Sequence, residues 1–62
     1  MKFEVIQHLR RKAEKKINRA MRAAESGNDL EAAKLFMQAG GTLITLGRGL
    51  EIEINGGKTE IH

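Results

Sequence analysis

The sequence predicts an α+β fold that is mainly helical, in which an antiparallel αα-hairpin over about 3–25 and 29–46 precedes a β-hairpin over about 50–61. Three observations predict this fold. Two long segments repeat their apolar residues at the helical period, a short glycine-containing turn separates them, and an alternating stretch leads into an Asn-Gly pair. The 62 residues form one small domain, 1–62.

The first helix is predicted from the spacing of its apolar residues, which recur every three or four positions. Arg, Lys, Ala and Glu fill most of the intervening positions, and all are good helix formers. The stripe is narrow and rich in alanine, so that a second helix can approach closely. It consists of Ile6, Leu9, Ala13, Ile17, Ala20 and Ala24.

The turn between the helices is predicted at 26–29. Gly27 suits the left-handed residue that follows a helix end, and either Asn28 or Asp29 suits the N-cap of the next helix. Glu31 lies in the first turn of that helix, where the helix dipole favours a negative charge. A connection this short makes the two helices antiparallel neighbours.

The second helix begins near Asp29, but two positions for its end are compatible with the sequence. Gly40-Gly41 could end it, in which case residues 42–46 would form a strand. The alternation over 42–46 is poor, however, and one polar stripe continues in phase past both glycines, so helix to about Leu46 with Gly47 as the cap is favoured. The stripe consists of Glu31, Lys34, Gln38, Thr42 and Thr45.

The predicted β-hairpin rests on the alternation from Leu50 to Ile54 and on Asn55-Gly56, since a type I′ turn needs positive φ at both central residues. A two-residue Asn-Gly loop sets Glu53 opposite Lys58, a favourable cross-strand pair. An isolated two-stranded hairpin is marginally stable, so we expect it to pack on the helices or to pair with a strand of another copy.

The composition excludes several classes of protein. The absence of cysteine excludes disulfides and thiolate metal sites. No apolar run reaches the roughly 18 residues of a membrane span, and the N-terminus lacks the apolar region of a secretory signal. We therefore expect a cytoplasmic protein without a membrane partner. Because folds this short are marginal alone, self-association is the expected source of added stability.

Positive charge is concentrated on the first helix, where seven of the eleven Lys and Arg residues lie between Arg10 and Arg22. Opposite the apolar stripe they form a basic face that can neutralise several phosphates of a nucleic acid. Two alternatives stay open: docking to an acidic protein, or a solvated surface that keeps the chain soluble. Membrane binding is disfavoured because half of the apolar stripe is alanine and it lacks the bulky anchors that lie in a membrane surface. The predicted phosphate contacts are Arg11, Lys12, Lys15, Arg19 and Arg22.

The second helix carries more apolar residues than one neighbouring helix can cover. We expect this excess to form the interface of a homodimer, most simply a four-helix bundle. The alternatives are a monomer, in which the first helix and the β-hairpin cover the excess, and a groove for a helical peptide. The predicted interface residues are Ala33, Phe36, Met37, Gly40, Leu43 and Ile44.

Catalysis is not supported by the sequence. His8 and His62 are far apart, neither has a carboxylate at the spacing of a triad or a metal site, and the single serine, Ser26, lies in the predicted turn. The sequence therefore predicts no catalytic residue, no metal and no cofactor.

Residues 20–39, AMRAAESGNDLEAAKLFMQA, resemble the helix–turn–helix unit of tetratricopeptide-type repeats. The resemblance covers about a third of the chain and implies a scaffold for protein interaction. It does not extend to the family's architecture, since a solenoid needs roughly three stacked repeats and one hairpin is present. The predicted function is that of a small non-enzymatic accessory or regulatory protein that contacts nucleic acid. The alternative is an adaptor or inhibitor that binds a protein through helix two or the strand edge at 50–54.

Overall fold

The computed structural model describes residues 1–56, which form two long antiparallel helices. Helix α1 spans Phe3–Glu25 and helix α2 spans Asp29–Ile54. The predicted αα-hairpin is confirmed, and α1 has the predicted bounds. Residues 42–46 are helical, so α2 continues through Gly40 and Gly41 as the phase of its polar stripe predicts.

The turn between the helices satisfies the backbone groups that each helix end leaves unpaired. Gly27 adopts φ +84°, as predicted. Its N–H donates to the Ala24 carbonyl at 3.0 Å, and the Asn28 N–H donates to the Ala23 carbonyl at 2.8 Å, the pair of bonds that defines a Schellman motif. The Asn28 side chain then accepts a bond from the Glu31 N–H at 3.2 Å. Asn28, rather than Asp29, is therefore the N-cap of α2.

The core between the helices is small. Four of its five buried residues are alanines, and Leu35 is the one large buried side chain among residues 1–56. The predicted stripe of α1 is correct except at its end, where Ala24 is exposed and Ala23 is half-buried. Small side chains permit a close helix pair, but each contributes little hydrophobic stabilisation. The buried residues are Ala13, Ala20, Ala32, Leu35 and Ala39.

The predicted β-hairpin is wrong over the part of the chain that the structure describes. Residues 50–54 form the last turns of α2 and not a strand, and the helix passes Leu46 and Gly47, where it was expected to end. Asn55 and Gly56 form the C-terminus of the helix, with Gly56 at φ +66°. The second predicted strand, including Lys58, lies outside the described residues.

The longer helix is explained by the length of α1, because the start of α1 lies beside the last turns of α2 and packs against them. A helix that is already formed gains one hydrogen bond for each added residue. The cost of Gly47 and Gly49, roughly 1 kcal/mol each, does not outweigh these bonds and this packing. Leu46 and Leu50 are half-buried on the side of α2 that faces α1. The Met1 side chain lies against Gly49, where an added Cβ would come within 2.6 Å of its Cε, and the Met1 amino group pairs with Glu53.

Candidate functional site

The five predicted phosphate-binding residues are all exposed on α1. At 100° per residue they occupy an arc of roughly 100° on the side away from the buried Ala13 and Ala20, and the distance from Arg11 to Arg22 is about 16 Å along the axis. The structure therefore brings the five side chains together on one surface. We call this surface the basic face; it consists of Arg11, Lys12, Lys15, Arg19 and Arg22.

The basic face keeps its charge. Glu14, the one acidic residue between Arg10 and Arg22, pairs with Arg10, with 3.1 Å between Nε and Oε1. The other ion pair within residues 1–56 joins the N-terminus to Glu53. None of the five cations is thus neutralised by an ion pair in the described chain, and all five are available to an external anion.

The two helices differ in charge, so that the electrostatic potential is more positive on the α1 side of the hairpin than on the α2 side. Helix α1 carries seven basic and three acidic residues, a net charge of +4. Helix α2 carries two basic and four acidic residues, a net charge of −2. A polyanion that approaches the hairpin is therefore attracted to α1 and repelled by α2.

The basic face carries a half-open depression. His8, Arg11, Lys12 and Lys15 line it, and its volume is about 350 Å³. An open surface with long cationic side chains suits contact along an extended phosphate backbone better than enclosure of a small ligand.

A groove with five polar or charged residues in its lining runs between the helices beside the basic face, with a volume of about 520 Å³. Lys16 reaches across it and donates a hydrogen bond to the Gln38 side chain. The hydroxyls of Thr42 and Thr45 donate to carbonyls of their own helix, at 3.2 Å and 2.9 Å. The groove is lined by Leu9, Lys12, Lys16, Gln38, Gly41, Thr42 and Thr45.

Lys16 is the residue at this groove that the sequence analysis missed. It lies between the apolar stripe and the basic face, one turn after Lys12, and it is half-buried. Its spacing from Lys12 places both ammonium groups on the groove side of α1. That i, i+4 spacing was the signal that could have identified it.

The six predicted interface residues lie on α2 and leave large apolar side chains uncovered. Met37 is 69% exposed and Ile44 is 60% exposed on the side away from α1, whereas Phe36 and Leu43 are 42% and 45% exposed on a flank of the same surface. Ala33 and Gly40 lie between them. Leu30, which the sequence analysis did not include, is 75% exposed and extends the surface by one turn.

Three of the four glycines of α2 have no packing explanation among residues 1–56. A Cβ added at Gly40, Gly41 or Gly47 would meet none of the described atoms within 4 Å, whereas Gly49 lies against the Met1 side chain. Each glycine nevertheless costs a helix roughly 1 kcal/mol relative to alanine. Contacts with α1 therefore do not account for their presence in a 26-residue helix.

Within residues 1–56 no three His, Asp or Glu side chains are grouped as a metal site requires. Neither α1 nor α2 is long and apolar enough to cross a membrane. The cytoplasmic location stays a prediction.

Comparison with protein-family models, with curated proteins and with solved structures finds no match to this chain.

Proposed function

We propose that this chain is a small non-enzymatic accessory or regulatory protein that self-associates and contacts the phosphates of a nucleic acid through the basic face of α1. The observation that carries the proposal is the basic face itself, with five exposed cations on one surface and no acidic partner for them within residues 1–56.

The dimensions of the basic face fit a nucleic-acid backbone. Its length of about 16 Å corresponds to roughly five nucleotide steps at about 3.4 Å per step along one strand. The face contains no aromatic residue on which a base could stack, so that contact along a duplex is favoured over binding of single strands. We expect affinity that depends strongly on salt and weakly on base sequence, because phosphate contacts carry little sequence information.

Self-association is supported by the imbalance between the core and the exposed apolar surface. One leucine and four alanines are buried between the helices, whereas α2 alone exposes five large apolar side chains on the surface that contains the predicted interface residues. A two-helix hairpin with so little buried surface gains stability from burying the outer surface of α2 against a second hairpin. The basic face lies on the side of α1 away from the buried Ala13 and Ala20 and stays accessible in such a dimer.

The same apolar surface favours a second candidate function, that of an adaptor that binds a helix of another protein. An apolar helix surface is one of the recurring modes of peptide recognition. The two candidates differ in how they respond to salt, because nucleic-acid binding weakens steeply as salt rises and apolar helix binding does not.

Charge reversal on the basic face tests the nucleic-acid proposal. Lys15→Glu combined with Arg19→Glu removes two phosphate contacts at exposed positions. We expect affinity for a duplex of about 20 base pairs to fall at least about tenfold near 0.1 M salt, and the slope of log K against log salt to decrease by about two units. Fluorescence anisotropy over a salt series measures both quantities, and circular dichroism checks that the variant is folded.

The matched control is Lys34→Glu combined with Arg48→Glu on α2, which changes the net charge by the same amount at exposed positions away from the basic face. We expect its affinity to stay within about threefold of the parent, since it removes no phosphate contact. Equal losses in both double variants would contradict the assignment to α1. Binding by the parent chain that does not change with salt would contradict phosphate contact altogether.

A further inference from the structure

The residues on the uncovered surface of α2 have a regular spacing and alternate between large and small side chains. Its six central positions are spaced alternately three and four residues apart, the pattern of a coiled-coil seam. Every first position holds a large side chain and every second position a small one. In chain order they are Leu30, Ala33, Met37, Gly40, Ile44 and Gly47, which we call the α2 seam.

The seam lies away from the contact with α1. The residues that α2 buries against α1, Ala32, Leu35 and Ala39, are on the opposite side of the helix, whereas the large seam residues Leu30 and Met37 are 75% and 69% exposed. Helix α2 therefore has two packing surfaces, and the described chain covers one of them.

We propose that two copies of this chain pair through their α2 seams in an antiparallel, two-fold arrangement in which the large residues of each copy pack onto the small residues of the other. In this register Leu30 lies opposite Gly47 of the second copy, Met37 opposite Gly40, and Ile44 opposite Ala33. The proposal rests on the self-association that is part of the proposed function and adds its orientation and register.

Antiparallel pairing follows from the order of large and small residues. One antiparallel register places every large seam residue against a small one, because the two rows repeat every seven residues in the same helix. Parallel pairing in register would set Met37 against Met37 and Gly40 against Gly40. The two methionines would then be overpacked, and the two glycines would leave a gap between the helices. The antiparallel pair also explains Gly40 and Gly47, since both have open space around them among residues 1–56 and let the backbone of a second helix approach closely.

The exposed area is sufficient for a dimer. Five large apolar side chains of the seam and its flank, each between 42% and 75% exposed, present on the order of 500 Å² of apolar surface, an area comparable to the largest patch on a typical monomer, which is often a site of interaction. Joining two such surfaces buries on the order of 1,000 Å², the lower bound of a specific interface. The seam contains no charged residue. Its row of large residues is complementary in shape to its own row of small residues, so that a second copy fits it. A second copy is therefore the favoured occupant over an unrelated helix.

Disulfide trapping tests the orientation, and the chain has no native cysteine to interfere. Two variants, Leu30→Cys and Gly47→Cys, are mixed in equal amounts and oxidised mildly. The two positions are about 25 Å apart along the helix, far beyond the Cα separation of about 7 Å that a disulfide tolerates. Antiparallel pairing predicts that mixed Leu30→Cys/Gly47→Cys dimers predominate among the products in mass spectra. It also predicts that these dimers form at least about tenfold faster than the disulfide dimer of the control variant Asn18→Cys, whose cysteine lies on α1.

Each other outcome overturns the proposal in a distinguishable way. Homodimers of each variant with few mixed products would indicate parallel pairing and would leave self-association intact. Cross-linking no faster than for Asn18→Cys, together with a monomeric mass in sedimentation, would contradict self-association as well. Neither result bears on nucleic-acid binding by the basic face, which is measured separately.

Paired glycine substitutions test the register without cysteine. Gly40→Gln places a long side chain in the seam, whereas Gly41→Gln places it at the groove between the helices. Both positions have open space within the described part of the chain. Both variants gain similar helix propensity. We expect the dimer dissociation constant to rise at least about tenfold for Gly40→Gln and less than about threefold for Gly41→Gln. Equal effects would contradict the seam.

Discussion

Asn28 ends the turn and starts α2, and it is the residue whose role is easiest to isolate. Its side chain accepts the Glu31 N–H, and its backbone N–H completes the Schellman motif at the end of α1. The backbone bond is independent of the side chain, so that a substitution at Asn28 removes the cap of α2 alone.

We expect Asn28→Ala to lower the free energy of unfolding by about 1 kcal/mol, because an N-cap bond to an orphan N–H is lost. For a chain of this size that corresponds to a fall in Tm of roughly 4–8 °C. Thermal unfolding followed by circular dichroism at a fixed protein concentration measures it. Asn18→Ala, at an exposed position inside α1, is the control and should leave Tm unchanged or slightly raised. A similar loss in both variants would contradict the cap.

Single residues were the most predictable part of the turn. Gly27 has the positive φ that a chain reversing after a helix requires. The choice between Asn28 and Asp29 as the N-cap was not predictable, since both side chains cap helices well and they are adjacent in sequence. The structure selects Asn28 because Gly27 and Asn28 together complete the end of α1.

At the level of the elements, the two long periodic segments are helices as predicted, but the predicted end of α2 near Leu46 and the predicted strand at 50–54 are wrong. Twenty-three residues of α1 repeat one spacing, so that the period is unambiguous. The five residues from Leu50 to Ile54 alternate, but five residues also fit a helix, with Leu50 turned towards α1 and Ile52 turned towards solvent. Asn55-Gly56 was equally ambiguous, since the positive φ of a glycine serves both a hairpin turn and a helix end.

Substitutions at Leu50 and Ile52 distinguish the helix from the strand. In a strand both side chains would share one face and would matter equally. In α2 Leu50 is half-buried, whereas Ile52 is 48% exposed. We expect Leu50→Ser to cost roughly 1–2 kcal/mol of unfolding free energy and Ile52→Ser less than about 0.5 kcal/mol, measured by urea denaturation. Equal costs would favour the strand.

At the level of the whole molecule, the two helices divide the surface by chemistry. Helix α1 turns exposed cations outward, and α2 turns exposed apolar side chains outward on the opposite edge of the hairpin. Helical spacing alone places the five cations on one exposed surface of α1 and the six predicted interface residues on α2. Their roles in phosphate contact and self-association stay predictions. Gly47 was not placed on the α2 surface because the helix was expected to end at Leu46. Leu30 was not included because its exposure depends on which side of α2 the first helix covers.

The division has a consequence for binding. In a two-fold dimer joined through α2, the basic faces of the two copies lie on opposite outer sides. In the function that we propose, each face would contact a separate stretch of phosphate backbone, and the dimer interface would cover neither face.

Sedimentation equilibrium on the unmodified chain is the most direct test of self-association through α2. The hairpin buries one large side chain and exposes the seam. We therefore expect a species of twice the 6.9 kDa chain mass at concentrations of about 100 µM. The variant Met37→Asp should shift the population to monomer, because it places a charge at the centre of the seam. A folded chain that sediments as a 6.9 kDa monomer over the whole concentration range would contradict the dimer.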